Sequence, residues 1–179
     1  MCSFHDLCKP PIFVDKFSVG LPELEPLIMR IAIASDHAAV DMKRQLREWL
    51  IDEGHEVADL GPDGHDSVDY PDYGYSLADV VADGTAERGI ALCGSGIGIS
   101  IAINRNPQVR CALVSEPLSA RLAREHNDAN VLALGARMIG IEMVKACIDS
   151  FLTSEYEGGR HQRRVAKLSR LVLPQEPNK

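Results

Sequence analysis

The chain has no excess of basic charge: 19 lysines and arginines stand against 26 aspartates and glutamates, a formal net charge of -7. It also has no extended basic run, so nucleic acid is a poor default partner. No apolar stretch reaches the ~18 residues that a membrane-spanning helix needs. The segment Met1–Leu27 lacks the charged-then-apolar order of a secretory signal. The five cysteines (Cys2, Cys8, Cys93, Cys111 and Cys147) are odd in number, widely spaced and without zinc-ribbon pairing. That pattern argues against a disulfide framework and fits a reducing, cytoplasmic compartment. Two nucleotide signatures are missing as well. The first strand pattern leads to Asp36-His37 rather than Gly-x-Gly-x-x-Gly, and no Lys-Ser or Lys-Thr follows the later glycine loop.

What is present is a globular composition, 45% hydrophobic and 25% charged over 179 residues, the size of one domain with tails. Met1–Leu27 carries four prolines and reads as a flexible extension, while Met29 is an equal candidate for the translation start. Strand patterns at Ile28–Ala34, Val57–Leu60, Gly89–Leu92, Val109–Val114 and Val131–Leu134 alternate with helical periods. The helices fall at Val40–Ile51, Tyr73–Asp83, Ile99–Asn104, Pro117–Asn127 and Ile141–Leu152. Met42, Leu46, Trp49 and Leu50 mark the inner face of the first, with Lys43 turned away; Leu118, Leu122 and Ala123 mark that of the fourth. This order predicts an α/β/α sandwich around a five-stranded, mostly parallel sheet. One more helix, Arg160–Leu171, follows Gly158-Gly159. Its periodicity alone favours folding back on the same domain over packing on a second subunit.

Ligands of open α/β sheets lie beyond the carboxyl ends of the strands. The polar residues there are Asp36 and His37, Asp69 and Tyr70, Cys93 through Gly98, Ser115 and Glu116, and Arg137. Within Cys93-Gly-Ser-Gly-Ile-Gly-Ile-Ser100, glycines turn a strand into a helix and open backbone amides to an anion or oxyanion. The same glycines also suit a purely structural turn. Cys93 taken alone reads as an inert core residue, but it ends a strand before a helix N-terminus, where the pKa of a thiol can be shifted down. Cys111 and Cys147 fall inside strand and helix patterns and read as core. His126 suits proton transfer near neutral pH, or simply a helix cap. Arg137, Arg160 and Arg164 form a cationic set in an otherwise acidic chain, and their forked guanidinium groups match phosphate oxygens. No histidine has convincing metal spacing, so neither zinc nor another cofactor is expected.

Taken together, Ser35-Asp36-His37, Asp69-Tyr70-Pro71, Cys93–Ser100, Ser115-Glu-Pro, His126-Asn-Asp-Ala-Asn-Val-Leu-Ala and Glu157-Gly-Gly-Arg-His161 resemble the B-type ribose-5-phosphate isomerases and their sugar-phosphate isomerase relatives. The resemblance spans Met29 to about Val172. It implies a Rossmann-like fold and cofactor-free interconversion of an aldose phosphate and a ketose phosphate. It further implies that Cys93 moves a proton between sugar carbons and that His126, supported by Asp36, assists ring opening. Gly94, Ser95, Gly96, Ile97 and Gly98 would stabilise the enediolate, with Asn127 touching substrate and Tyr70 lining the pocket. Arg137, Arg160, Arg164 and His37 would hold the phosphate. The resemblance also implies homodimers, some pairing into tetramers, with clefts built from both subunits. It thereby reverses the fold-back preference: residues 29–157 become the isomerase domain, 158–174 a helix crossing to the partner, and 1–28 and 175–179 an extension and a tail.

Two departures from the relatives stand out. Ser100 occupies the position where some carry a glutamate base, which places this chain with the cysteine pattern; Ser95 replaces a common threonine. Ribose 5-phosphate and ribulose 5-phosphate are the expected pair. A tetrose phosphate, allose 6-phosphate or galactose 6-phosphate is the alternative, and a non-catalytic sugar-phosphate-binding protein is the other class.

Overall fold

A computed structural model describes residues 28–169. The extension Met1–Leu27, Leu171, Val172 and the 175–179 tail, all given readings above, lie outside the described residues. Five strands form one sheet: β1 (Arg30–Ser35), β2 (Glu56–Asp59), β3 (Arg88–Cys93), β4 (Cys111–Leu113) and β5 (Val131–Gly135). Their order is β2-β1-β3-β5-β4. Every pairing is parallel, so the expected mostly parallel sheet is wholly so. Helices α1 (Val40–Asp52), α2 (Tyr70–Ala82), α3 (Ile97–Ile103), α4 (Pro117–Asn127), α5 (Ile141–Leu152) and α6 (Gln162–Leu168) complete the chain.

Side chains alternate across a strand, and here the alternation separates large from small. Ile31, Ile33, Ile90, Leu92, Leu132 and Leu134 point to the α1, α4 and α5 side, where Leu46, Val144 and Phe151 meet them. Ala32, Ala34, Ala91 and Ala133 point to the other side, under Leu77, Val81 and Ile103. Small residues there let α2 and α3 approach the sheet closely. At Gly89 a Cβ would lie 2.7 Å from Leu77 Cδ2.

Several boundaries differ from the sequence expectation for local reasons. Helix α2 begins at Tyr70 rather than Tyr73 because Pro71 fits the first turn, where its missing N–H costs nothing. Edge strand β4 is shorter than Val109–Val114: the Arg110 N–H donates to Asn130 Oδ1, and the Asn104 amide brackets Cys111 from both sides. Lys43, expected on the outer face of α1, is buried and ion-paired with Asp59. Leu118, expected inside, is exposed. The helix expected at Arg160–Leu171 is present but opens as a 3-10 turn, its α-helical part starting at Gln162. Gly158 (φ 64°) and Gly159 (φ 50°) take left-handed conformations that glycine tolerates. A 3-10 turn, Gly159–His161, then precedes α6, none of whose residues is buried. Among the described residues no helix is long and apolar enough to cross a membrane.

Candidate active site

The carboxyl ends of β1, β3 and β5 bring most of the predicted residues together. Ser35 pairs with Leu92 and Cys93 with Gly135. Beyond these pairs the Asp36 N–H donates to the Leu92 carbonyl (3.1 Å), that of Ala136 to Cys93 (2.9 Å) and that of Arg137 to Gly94 (3.0 Å). Asp36, Cys93 and Arg137 are thereby fixed side by side by backbone. Asp36 is buried, and its Oδ1 caps the following turn by accepting from Ala38 N–H at 2.9 Å. The His37 Nδ1 accepts from Val68 N–H (3.3 Å). A neutral His37 therefore carries its proton on Nε2, as a donor suited to an anion. Cys93 is only 4% exposed, yet its sulfur accepts the Gly96 N–H at 3.0 Å rather than resting among hydrocarbon alone.

The loop is more internally engaged than the sequence suggested. The Gly96 amide serves the sulfur, and the Ile97 amide donates to Ser95 Oγ (3.3 Å). Its glycines answer to different demands. Gly96 has φ 78°, and a Cβ there would come within 2.5 Å of Leu113. A Cβ on Gly98 would lie 2.5 Å from the Tyr70 ring, which rests on that glycine. Gly94 faces Arg137 at an ordinary 3.6 Å and leaves that side open. Gly98→Ala is therefore expected to displace Tyr70 and lower kcat/KM by roughly 10- to 100-fold, measurable by steady-state kinetics. Beside the loop lies a cavity of about 330 Å³ lined by Ser95, Ile97, Leu113, Ser115 and Met138. Glu116 acts as the N-cap of α4, accepting from Leu118 and Ser119 N–H groups. A larger 440 Å³ cavity between α1 and Asp59 holds none of the predicted residues, and its buried Lys43 is already paired.

His126, Asn127, Arg160 and Arg164 are not brought to this site. Helix α4 leaves the carboxyl end of β4 and must return to the amino end of β5, so its last residues lie at the opposite edge of the sheet. The Gly89 N–H donates to the Asn130 carbonyl there. From Gly89 to Cys93 the strand rises about 13 Å. The expected support of His126 by Asp36 is thus impossible within one chain, and Arg137 stands apart from Arg160 and Arg164. The end of α4 is instead secured locally. Asp128 closes it in a left-handed conformation (φ 48°), its carboxylate accepting from Arg124 (2.9 Å) and Arg110 (2.7 Å).

Two neighbours of His126 were missed by sequence reasoning as functional residues, although both lie in the Glu157–His161 motif. The His161 ring stacks on that of His126, centroids 4.3 Å apart and 5° from parallel. Glu157 Oε2 lies 3.9 Å from His126 Nε2 and 3.7 Å from His161 Nε2. By composition this trio could hold a transition metal. Its arrangement does not fit one. An ion must sit about 2 Å from each nitrogen and near each ring plane. Stacked parallel rings aim their lone pairs along separate lines, and Arg160 Nε already donates to His161 Nε2 at 3.0 Å.

Among the other described cysteines, burial pushes the Cys111 thiol up and, with Glu116 adding to it, pushes Cys147 up to about 11. Neither can serve as a base near neutral pH.

A sequence profile described as Ribose/Galactose Isomerase matches residues 31–168. The chain is 44% identical to ribose-5-phosphate isomerase B of Escherichia coli over 140 residues, 78% of this chain and 94% of the relative. It is 41% identical to D-erythrulose-4-phosphate isomerase of Pectobacterium atrosepticum, covering 79% and 93%. The solved structure of Clostridium thermocellum ribose-5-phosphate isomerase B superposes with a TM-score of 0.78 at 46% identity, covering 79% of this chain and 95% of that one. The all-parallel sheet, the sulfur-bearing glycine loop and this likeness over nearly the whole described chain lead to one conclusion: the protein belongs to the ribose/galactose isomerase family.

Proposed function

We propose that the protein interconverts D-ribose 5-phosphate and D-ribulose 5-phosphate through an enediolate, in the cytoplasm, at sites shared by two copies of the chain. The observation that carries the chemistry is the Cys93 sulfur at the end of β3, held beside Asp36 and Arg137. Cys93, as thiolate, takes the proton from C2 of the open-chain aldose. Negative charge then develops on the sugar oxygens, where the Ser95 hydroxyl and those amides of the Gly94–Gly98 loop not engaged by Cys93 and Ser95 can stabilise it. Shift of the O2 hydroxyl proton to O1 and return of a proton from the Cys93 thiol to C1 give the ketose and restore the thiolate, so one residue serves both directions. Arg137 and the His37 Nε2–H hold the phosphate from this side, with Tyr70 over the sugar.

Ring opening falls to His126, which moves a proton to the ring oxygen, while Asn127 contacts substrate and Arg160 and Arg164 grip the phosphate. These residues reach the sulfur only if a second copy presents its amino-end edge to the first copy's carboxyl-end edge. A two-fold axis does this twice, giving two equivalent sites. In support, α6 has no buried residue, and Met138 (70%) and Ile97 (53%) are exposed beside the cavity. On this reading the described residues 158–169 belong to the crossing segment.

Ribulose 5-phosphate cannot form a furanose ring, which gives His126 a directional signature. His126→Asn is expected to slow conversion of ribose 5-phosphate by about 100-fold while slowing the reverse direction less than about threefold. Equal losses in both directions would contradict the ring-opening role.

The direct test of the activity is conversion of ribose 5-phosphate in the presence of a chelator, with exchange of the C2 proton into solvent. A second reading, a tetrose phosphate substrate, is favoured by the likeness to the erythrulose-phosphate enzyme. Rates across tetrose, pentose and hexose phosphates decide between them, a tenfold preference corresponding to ~1.4 kcal/mol of transition-state discrimination. Binding without exchange for every sugar would instead indicate a non-catalytic sugar-phosphate-binding protein.

A further inference from the structure

His161 has no task in the mechanism above, yet it is 6% exposed at the start of a segment that is otherwise open to solvent. Its environment is specific on two sides. One ring face lies flat on His126. On the edge, Nε2 accepts from Arg160 Nε at 3.0 Å. An accepting Nε2 places the proton of the neutral ring on Nδ1. Arginine has five donors in a planar fork, so a contact through Nε orients the guanidinium and leaves both Nη groups for phosphate oxygens.

We propose that His161 is the positioning residue of this half-site, its neutral Nε2 holding the Arg160 fork and its ring face setting the plane of His126. The inference rests on the reading of His126 and Arg160 given under Proposed function. The groups facing His161 are His126 from α4, Glu157 from the preceding loop, Arg160 from its own turn and Arg164 from α6. Burial holds its pKa below the ordinary histidine value, reinforced by the positive potential of His126, Arg160 and Arg164 and opposed by Glu157. The ring is therefore neutral and the contact intact above the ordinary histidine range. As pH falls below that range, an Nε2 proton would face the Arg160 N–H and the contact would be lost. The Michaelis constant should then rise on the acid side.

The test compares His161→Phe, His161→Gln and His161→Ala with Arg160→Ala and His126→Asn in the full chain. Each is assayed in both directions with ribose 5-phosphate and ribulose 5-phosphate from about pH 5 to pH 8. Phenylalanine keeps a flat ring against His126 but has no acceptor. It should raise KM about tenfold, hold kcat within about threefold, and abolish the acid-side rise. Glutamine returns an acceptor oxygen and should bring KM back within about threefold of wild type, also without the acid-side rise. Alanine should add a selective loss of kcat in the ribose 5-phosphate direction, as His126→Asn does. Wild-type KM and an unchanged acid-side rise in His161→Phe, with Arg160→Ala still raising KM, would overturn the role of His161 alone. Unaltered kinetics in both Arg160→Ala and His126→Asn would overturn the half-site on which it rests.

Discussion

Cys93→Ala is expected to lower exchange of the substrate C2 proton with solvent by roughly 1,000-fold or more, while phosphosugar binding stays within about threefold. The two effects separate because the proposed phosphate contacts, Arg137 and His37 on one copy and Arg160 and Arg164 on the other, do not include the sulfur. No other described thiol can substitute. Cys147 is pushed up to about 11 by burial and Glu116, and the Cys111 thiol is raised by burial. Asp36 is the nearby carboxylate, but its Oδ1 is engaged with Ala38 N–H. Cys93→Ser is the control for folding, since a hydroxyl can still accept from the Gly96 amide while being a far weaker base. Both variants should therefore lose exchange. Proton exchange at the wild-type rate in Cys93→Ala would remove the sulfur from the mechanism, whatever the family resemblance.

Much of the fold was legible because its central strands, β1, β3 and β5, are buried on both faces. Short apolar runs such as Gly89–Leu92 and Val131–Leu134, punctuated by helical periods, leave few alternatives to a parallel α/β/α arrangement. The carboxyl-end half of the site was legible for the same reason: Asp36, Cys93 and Arg137 follow their strands directly. The separation of His126 from Cys93 was also present in principle, since a helix joining parallel strands must end at their amino edge. Grouping residues by motif concealed it. Other features had no readable signal. Burial of Lys43 depends on Asp59 arriving from β2. The stack of His161 on His126 joins distant segments across the two-glycine break. The loop amides that serve Cys93 and Ser95 depend on side-chain geometry that composition does not specify.

The proposed pairing of two copies carries a second large expected effect. Cys93→Ala and His126→Asn chains should each be nearly inactive on ribose 5-phosphate, for different reasons and at different edges of the fold. If each site takes its sulfur from one copy and its ring-opening histidine from the other, a mixed dimer has one site lacking both groups and one site intact. Random re-pairing of equal amounts makes about half the dimers mixed, which restores about a quarter of wild-type activity. The decisive measurement is therefore isomerase activity after the two variants are co-refolded, compared with the same variants refolded apart and then combined. Recovery to about a quarter of wild type in the co-refolded sample alone is the predicted result. Activity no higher than the average of the two separate variants, with mixed dimers shown to have formed, would contradict a sulfur and histidine supplied by different copies.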